Sequence, residues 1–567
     1  MRMSEIKYNS ENGKQQLMGF GGINYSPRYK PGELRNSENL SADEYPWISQ
    51  RKNACIEYSY ITDDPPGKYT SPVAIYAKDE MCVIDSDGKF YYDGDEITGH
   101  TFDVEKDIQM VAVNTKILIF PDCWYYDISD EALYPFAAKF ETQSSATNII
   151  EVTSSSITIT TGSFKSFTDV EDYISRFHIG DTIYFSNTLD SENDKEAITI
   201  RNISDDGKML TFDAGSFTAK TYNATTHTHL YFERLILEAA EGATGTSPMF
   251  DYVCEHDNRL WGVRSYCQTI YGSSLGNPLN FNCFEGLSTD SYAVAVGSAG
   301  KFTGITGFGS YICFFKENCL HKLYGSKPSN YQIVTSTIPG VERGSSKSLQ
   351  IINDCLYYKG DEGIYAYSGD TPDLISDNLG TINYNHGVAG ADGRKYYISM
   401  ERAEGDDYVN DFYIYDTIRG IWLRVDNSNI IDFASKSGHV YYLKYLQSGE
   451  TQANRIYIGD IGDDVSDWSA ELCPFYEDTQ QRKSYLRLFI RYQFEKTGNL
   501  LNVYKKIHGK DTDFVLIKSI TATTGDENTI EIPLPPNRCD SFSVKFSGTG
   551  RCFIKSLVRE YQRGNER

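Results

Sequence analysis

From about residue 70 the apolar positions fall into short runs that repeat one arrangement. A strand-like run meets a polar turn carrying Asp or Gly, and a second run follows that ends in aromatics. The paired runs lie at 82–85 and 87–92, 259–263 and 269–272, 311–315 and 321–325, 355–358 and 363–367, 395–398 and 412–415, and 440–443 and 455–458. They recur every 40 to 50 residues or so, roughly the length a four-stranded propeller blade needs. A blade cannot bury both of its faces alone, so blades stack radially. The repeats are divergent and leave the blade number open between six and seven; an irregular β-sandwich is the competing reading.

Two intervals break this rhythm. Residues 140–231 hold Ile149-Ile150-Glu151-Val152-Thr153 and Ile157-Thr158-Ile159-Thr160, a helical pattern at 169–177, and a turn at Asp205-Asp206-Gly207. They predict a small β-barrel inserted between two blades, since insertions leave from surface loops at little cost to the host. Residues 473–567 alternate apolar and charged positions in Tyr485-Leu486-Arg487-Leu488-Phe489-Ile490 and Phe542-Ser543-Val544-Lys545-Phe546, the pattern of a half-buried antiparallel sheet. Residues 1–59 read as an extended arm without a core, broken by Gly19-Phe20-Gly21-Gly22 and Pro31-Gly32, with two helical turns over 33–40. The expected fold is all-β: an arm at 1–59, a β-propeller over 60–139 and 232–472, an inserted small β-barrel at 140–231, and a C-terminal β-sandwich-like domain at 473–567.

Composition sharpens this picture. The 43 tyrosines favour half-buried pleated surfaces, where the ring packs and the hydroxyl finds a partner. A net charge of −24 argues against a protein that grips nucleic-acid phosphates, although an acidic wall that DNA slides past stays compatible. The 12 cysteines include no CxxC pair and most sit in strand-like runs, which predicts small buried hydrophobes made in a reducing cytosol. The opening Met-Arg-Met-Ser-Glu-Ile lacks an apolar stretch, so no signal peptide is expected, and no run is apolar enough to predict a membrane span.

Candidate chemistry is thin. Gly272-Ser273-Ser274-Leu275-Gly276 matches the hydrolase G-x-S-x-G pattern, but Asn277-Pro278 follows where a helix is required. His227 and His229 offer two imidazoles with no third ligand signposted. Asp190, Glu192 and Asp194 alternate like a calcium loop without its turning glycine. Neither a catalytic site, a metal nor a cofactor is predicted.

Gly21-Gly22-Ile23, then Pro31-Gly32-Glu33-Leu34-Arg35, Asn39, Tyr45-Pro46 and Arg51-Lys52 form an opening that resembles bacteriophage tail hub, nozzle and tail-stabilisation proteins. His256-Asp257-Asn258-Arg259-Leu260-Trp261-Gly262 and Tyr271-Gly272-Ser273-Ser274-Leu275-Gly276-Asn277-Pro278 resemble blade sequences of phage structural proteins. The resemblance implies a non-enzymatic virion subunit, made in the host cytoplasm. It would form a homohexameric ring that extends the tail channel for double-stranded DNA and docks portal-side adaptors and tail fibre or tip proteins. Gly21, Gly22, Asn39, Tyr45, Pro46, Arg51 and Lys52 would then be partner-binding residues of the arm. A receptor-binding propeller at the tail tip and a glycan-degrading propeller are the alternatives.

Overall fold

The computed structural model describes residues 12–56, 69–136, 149–161, 182–185, 193, 195–206, 208–223, 250–265, 267–281, 286–405, 407–448, 451–462, 467–477, 481–523 and 525–563. The protein is all-β, with three single-turn 3-10 segments as its helical content among these residues. The chain divides into two compact units, residues 73–346 and residues 1–72 with 347–567.

Seven four-stranded antiparallel sheets built from blade-like repeats occur among the described residues. Four belong to the first unit: Pro72–Ala77 through Asp95–Ile97, Gln109–Val113 through Ala132–Pro135, Tyr252–His256 through Tyr292–Ala295, and Phe302–Phe308 through Gln332–Ser336. Three belong to the second: Gln350–Ile352 through Asp373–Leu374, Tyr384–Ala391 through Ile421–Asp426, and Ile430–Lys436 through Thr451–Ile458. The last has only three strands of its own, and Cys55–Ile56 from the start of the chain supplies the fourth. The six run pairs legible in the sequence are the second and third strands of six sheets. The seventh pair, Lys116–Phe120 and Trp124–Asp127, hides because its three-residue turn interrupts the apolar run with one polar residue, Asp122; Cys123 takes the left-handed backbone (φ 57°).

Within the first unit, successive sheets pack through shared apolar faces. Cys82, Ile84 and Phe90 meet Ile117, Ile119 and Tyr126, while Leu118 and Phe120 meet Phe250, Leu260 and Tyr271. Trp261 and Ile270 then meet Phe302, Phe314 and Leu323. In the fourth sheet His321, 1 % exposed, joins Ser298 Oγ at 2.7 Å through Nε2 and Thr335 Oγ1 at 2.8 Å through Nδ1. Burial, helped by Lys316, pushes its pKa down to about 4. A depressed histidine binds its proton more readily when unfolded. Its contribution is therefore complete above the unfolded value of about 6.5 and fades as pH falls toward the folded one. The stability gap between wild type and His321→Gln should accordingly shrink between pH 7 and pH 4.5 by about 1.4 kcal/mol per unit crossed. Urea midpoints of both proteins at the two pH values check this.

The segment between the second and third sheets carries a five-stranded sheet in which Asn202–Ile203 and Lys220–Asn223 are the edges, and a separate pair, Thr182–Phe185 with Lys195–Thr199. The edge strands do not pair with one another, so the expected closed barrel is corrected to open sheets among the described residues. The expected helix at 169–177 lies outside those residues.

In the second unit the chain's end forms two further sheets. One orders Asn12–Leu17, Cys552–Arg563, Lys483–Phe494 and Glu527–Pro533; the other orders Leu34–Glu38, Trp468–Leu472, Phe542–Thr549, Leu500–Ile507 and Val515–Thr521. Leu488, Ile490 and Leu557 of the first share a core with Val503, Val544 and Phe546 of the second. Residues 33–40 are thus not helical. Two isolated helical turns are unstable in water, and the ladder of Leu34–Glu38 on Trp468–Leu472 satisfies the backbone while burying Leu34 and Ser37. The arm is correspondingly not coreless: it contributes strands to three sheets and buries Phe20, Ile23, Leu34 and Leu40.

Candidate functional site

A cleft of about 1140 Å³ lies within the second unit, between the loop that precedes Leu34 and the outer face of the five-stranded sheet. Strand alternation builds its floor. Leu34 and Leu472 oppose each other inward, so their neighbours Glu33 and Glu471 turn to the other face. A register shift between Leu34 and Asn36 places Arg35 beside them. The 24–33 loop is folded over this floor by its own hydrogen bonds. Asn24 Nδ2 donates to Arg28 O at 3.0 Å and to Glu33 Oε2 at 2.8 Å, and the Lys30 amide donates to the same oxygen at 2.7 Å. Arg35 ties the loop down through the Asn24 and Ser26 carbonyls at 3.2 and 3.1 Å.

The two carboxylates sit in different settings. Glu33 is fixed by its two donors. Glu471 is half-buried, faces Lys545 across the ladder, and accepts no hydrogen bond among the described residues. Burial raises its pKa above the ordinary carboxylate range, against the pull of Lys545, Lys506 and Arg35. Tyr29 and the exposed Tyr476 form an aromatic wall, and burial together with their mutual hydrogen bond pushes the Tyr29 phenol up. His508 closes the far side with Nε2 2.8 Å from Ser543 Oγ, and burial, aided by Lys506, lowers its pKa. The cleft thus holds a fixed carboxylate, a carboxyl biased toward its protonated form, two tyrosines and several donors. Separated acid and base character in two carboxyl groups is what proton transfer to one side of a bond and from water on the other requires.

The sequence-predicted arm residues lie around this region and tie the chain to itself. A Cβ on Gly22 would stand 2.6 Å from the Trp422 carbonyl, and one on Gly21 would stand 2.9 Å from Glu33 Cγ. Gly22→Ala should therefore force the arm off the Ile421–Asp426 strand and cost about 1–3 kcal/mol, the range of overpacked sites, read from the urea midpoint. Asn39 adopts φ 53° and donates through Nδ2 to Asp467 O at 2.9 Å. Tyr45, in a cis bond to Pro46, lies 5.1 Å from the Arg419 guanidinium, and the Pro46 carbonyl accepts from the Phe20 amide at 2.9 Å. Arg51 is buried with Nε 2.8 Å from Asp460 Oδ1, while Lys52 is exposed.

Sequence reasoning passed over Glu33 as a site residue and missed Glu471 altogether, because they lie more than 400 positions apart. The one local signal was the alternation Arg28-Tyr29-Lys30 next to a glycine turn. Of the other candidates, Ser274 follows the Thr269–Gly272 strand and donates to Asn277 O at 3.4 Å within a turn, not at the head of a helix. His227, His229, Asp190, Glu192 and Asp194 lie outside the described residues.

No family model and no curated protein matches the chain. Among solved structures it is similar to an exo-beta-1,3-galactanase from Phanerochaete chrysosporium, at 8 % identity over 53 % of this chain and 92 % of that one, with a TM-score of 0.20. It is also similar to a fructofuranosidase variant from Schwanniomyces occidentalis, at 6 % identity over 56 % and 96 % of the two chains, TM-score 0.19. A third is the extracellular domain of a putative hybrid two component system from B. thetaiotaomicron, at 8 % identity over 92 % and 99 %, TM-score 0.21. These neighbours correct the expectation of a non-enzymatic tail-ring subunit: they are a galactanase, a fructofuranosidase and an extracellular domain of a two component system, not tail proteins. That expectation is withdrawn. At these TM-scores the likenesses carry no substrate or activity over to this chain.

Proposed function

We propose that the chain is a glycan-cleaving protein of β-propeller type, whose cleft in the second unit binds a sugar chain and hydrolyses a glycosidic bond. The observation that carries this is the placement of Glu33 and Glu471 in one cleft, Glu33 held by two donors and Glu471 with its pKa raised by burial. The Cys473 amide donates to the Glu33 carbonyl at 2.9 Å, which makes Glu471 a diagonal neighbour about 7–8 Å away at the backbone; this chemistry requires the two carboxyl groups to stand far enough apart for a water beside the sugar. Glu471, whose pKa burial raises, gives its proton to the bridging oxygen as the bond to the anomeric carbon breaks. Glu33 takes a proton from the water whose oxygen forms the new bond to that carbon. Tyr29 and Tyr476 stack on sugar faces, and Arg35 and His508 supply donors and an acceptor for hydroxyls. A volume of about 1140 Å³ suits several sugar units better than one small metabolite.

Incubating the full chain with a panel of defined oligosaccharides and following new reducing ends tests the reading. Release from at least one class is expected. No release together with no binding to any member would end it, and binding without release would reduce it to recognition alone.

A further inference from the structure

The charge around the cleft runs against the charge of the molecule. The chain carries a net charge of −24, yet Arg28, Lys30 and Arg35 line the cleft, and Lys506 and Lys545 lie close enough to Glu471 to pull on its carboxyl. Two carboxylates face these five cations, one of them biased toward the neutral acid. Arg28 and Lys30 are exposed at the cleft rim, and neither has an ion-pair partner among the described residues. Most other basic side chains of this unit are committed: Arg402 and Arg424 to Asp411, Arg394 to Asp416, Arg559 to Glu477, Lys505 to Asp511. Uncommitted cations concentrated at one cleft of an acidic protein are a recognition feature, because such a field raises the local concentration of anions and repels little of what it needs.

Resting on the glycan reading above, we propose that the cleft selects glycans bearing anionic groups, carboxylated or sulfated sugars, with Arg28 and Lys30 contacting the anion and Arg35 holding the loop that presents them. The planar guanidinium of Arg28 matches a carboxylate or sulfate through two parallel donors, and Lys30 adds a mobile point charge. A nucleic acid is the less favoured polyanion. Its closely spaced phosphates would bring charge against Glu33, whose carboxyl accepts from Asn24 Nδ2 and the Lys30 amide and has no cation bonded to it.

The test is calorimetric binding of the full chain to length-matched neutral, uronate-containing and sulfated oligosaccharides and to a single-stranded DNA 12-mer, each at 50 and 500 mM NaCl. An anionic sugar should bind at least 10-fold tighter than the neutral one at low salt. The preference should collapse at high salt, where screening shortens to a few ångströms. Arg28→Gln/Lys30→Gln should bring anionic binding to within about 2-fold of that variant's own neutral binding and leave the unfolding midpoint unchanged, since both side chains are exposed. Which of the uronate and sulfate arms binds tighter identifies the anion. Equal binding of neutral and anionic sugars, or a preference that survives the double variant, overturns this inference while leaving glycan binding intact. Tighter binding of the DNA also overturns it. If no sugar of any kind binds, the glycan reading itself has failed.

Discussion

Glu471→Gln should lower turnover of the cleaved oligosaccharide by about 10²–10⁴-fold, the contribution of a positioned general acid, with binding unchanged within a factor of about 2. Glutamine keeps the shape of the side chain and its place opposite Lys545, but has no acidic proton to deliver. The sign with pH follows from the direction of the shift. Burial raises the Glu471 pKa, so the protonated, active form persists above the ordinary carboxylate range and rate falls as pH rises through the raised value. The variant should lose that alkaline limb. Measuring kcat and KM separately for both proteins across pH 4 to 8 checks both parts. A variant with wild-type kcat would remove Glu471 from the chemistry. Glu33→Gln is a less clean probe, because its carboxylate also organises the loop through Asn24 and Lys30.

Asp411→Ala should destabilise the second unit by about 3–5 kcal/mol, the cost of stranding the buried Arg424 cation by deleting its counter-ion. Asp411 is 2 % exposed and accepts from Arg402 Nε at 2.6 Å and Arg424 Nε at 3.0 Å, with the Tyr384 hydroxyl at 3.3 Å. Neither guanidinium can shed its proton, and Arg424 is nearly buried. Its other carboxylate, Glu38, has a side chain 47 % exposed and cannot compensate. For the same reason Glu38→Ala should cost less than about 1 kcal/mol, the usual worth of an exposed pair. Urea unfolding of the two variants beside wild type decides it. A loss for Asp411→Ala no larger than that for Glu38→Ala would show that water reaches the network.

The all-β class and six of the seven repeated sheets were legible because their central strands are apolar runs punctuated by glycine or aspartate turns. The seventh was lost because that punctuation shrinks to one residue: in Pro121-Asp122-Cys123 a single aspartate stands between a proline and an apolar cysteine. The arm misled for a different reason. Glu33-Leu34-Arg35-Asn36 has the composition of a helix start, and what makes it a strand is the ladder to Trp468–Leu472, a partner no local pattern announces. The cleft was illegible for the same cause. Glu33 reads as one acidic residue in a turn and Glu471 as one in a strand, and their shared face exists only once residues more than 400 apart are paired. The glycines of the opening motif were legible as special but not in their role. Gly22 is small because the Trp422 backbone passes over it.

The strands lent by the start of the chain have a consequence for how the protein is made. Asn12–Leu17, Leu34–Glu38 and Cys55–Ile56 pair with Cys552–Arg563, Trp468–Leu472 and Thr451–Ile458 respectively. During synthesis at about 5–20 residues per second, Asn12–Leu17 waits roughly half a minute or more for its partner strand. Residues 73–346 emerge in the meantime with their own core-forming sheets complete. The waiting arm offers unpaired strand edges throughout, and the mix of Gly, Pro, Arg and Lys along residues 19–35 is the kind of sequence that resists pairing with a neighbouring nascent chain. Pairing of Leu34–Glu38 with Trp468–Leu472 thus waits on the synthesis of everything between them, so the carboxylate pair comes together only after residues 73–346 have been made.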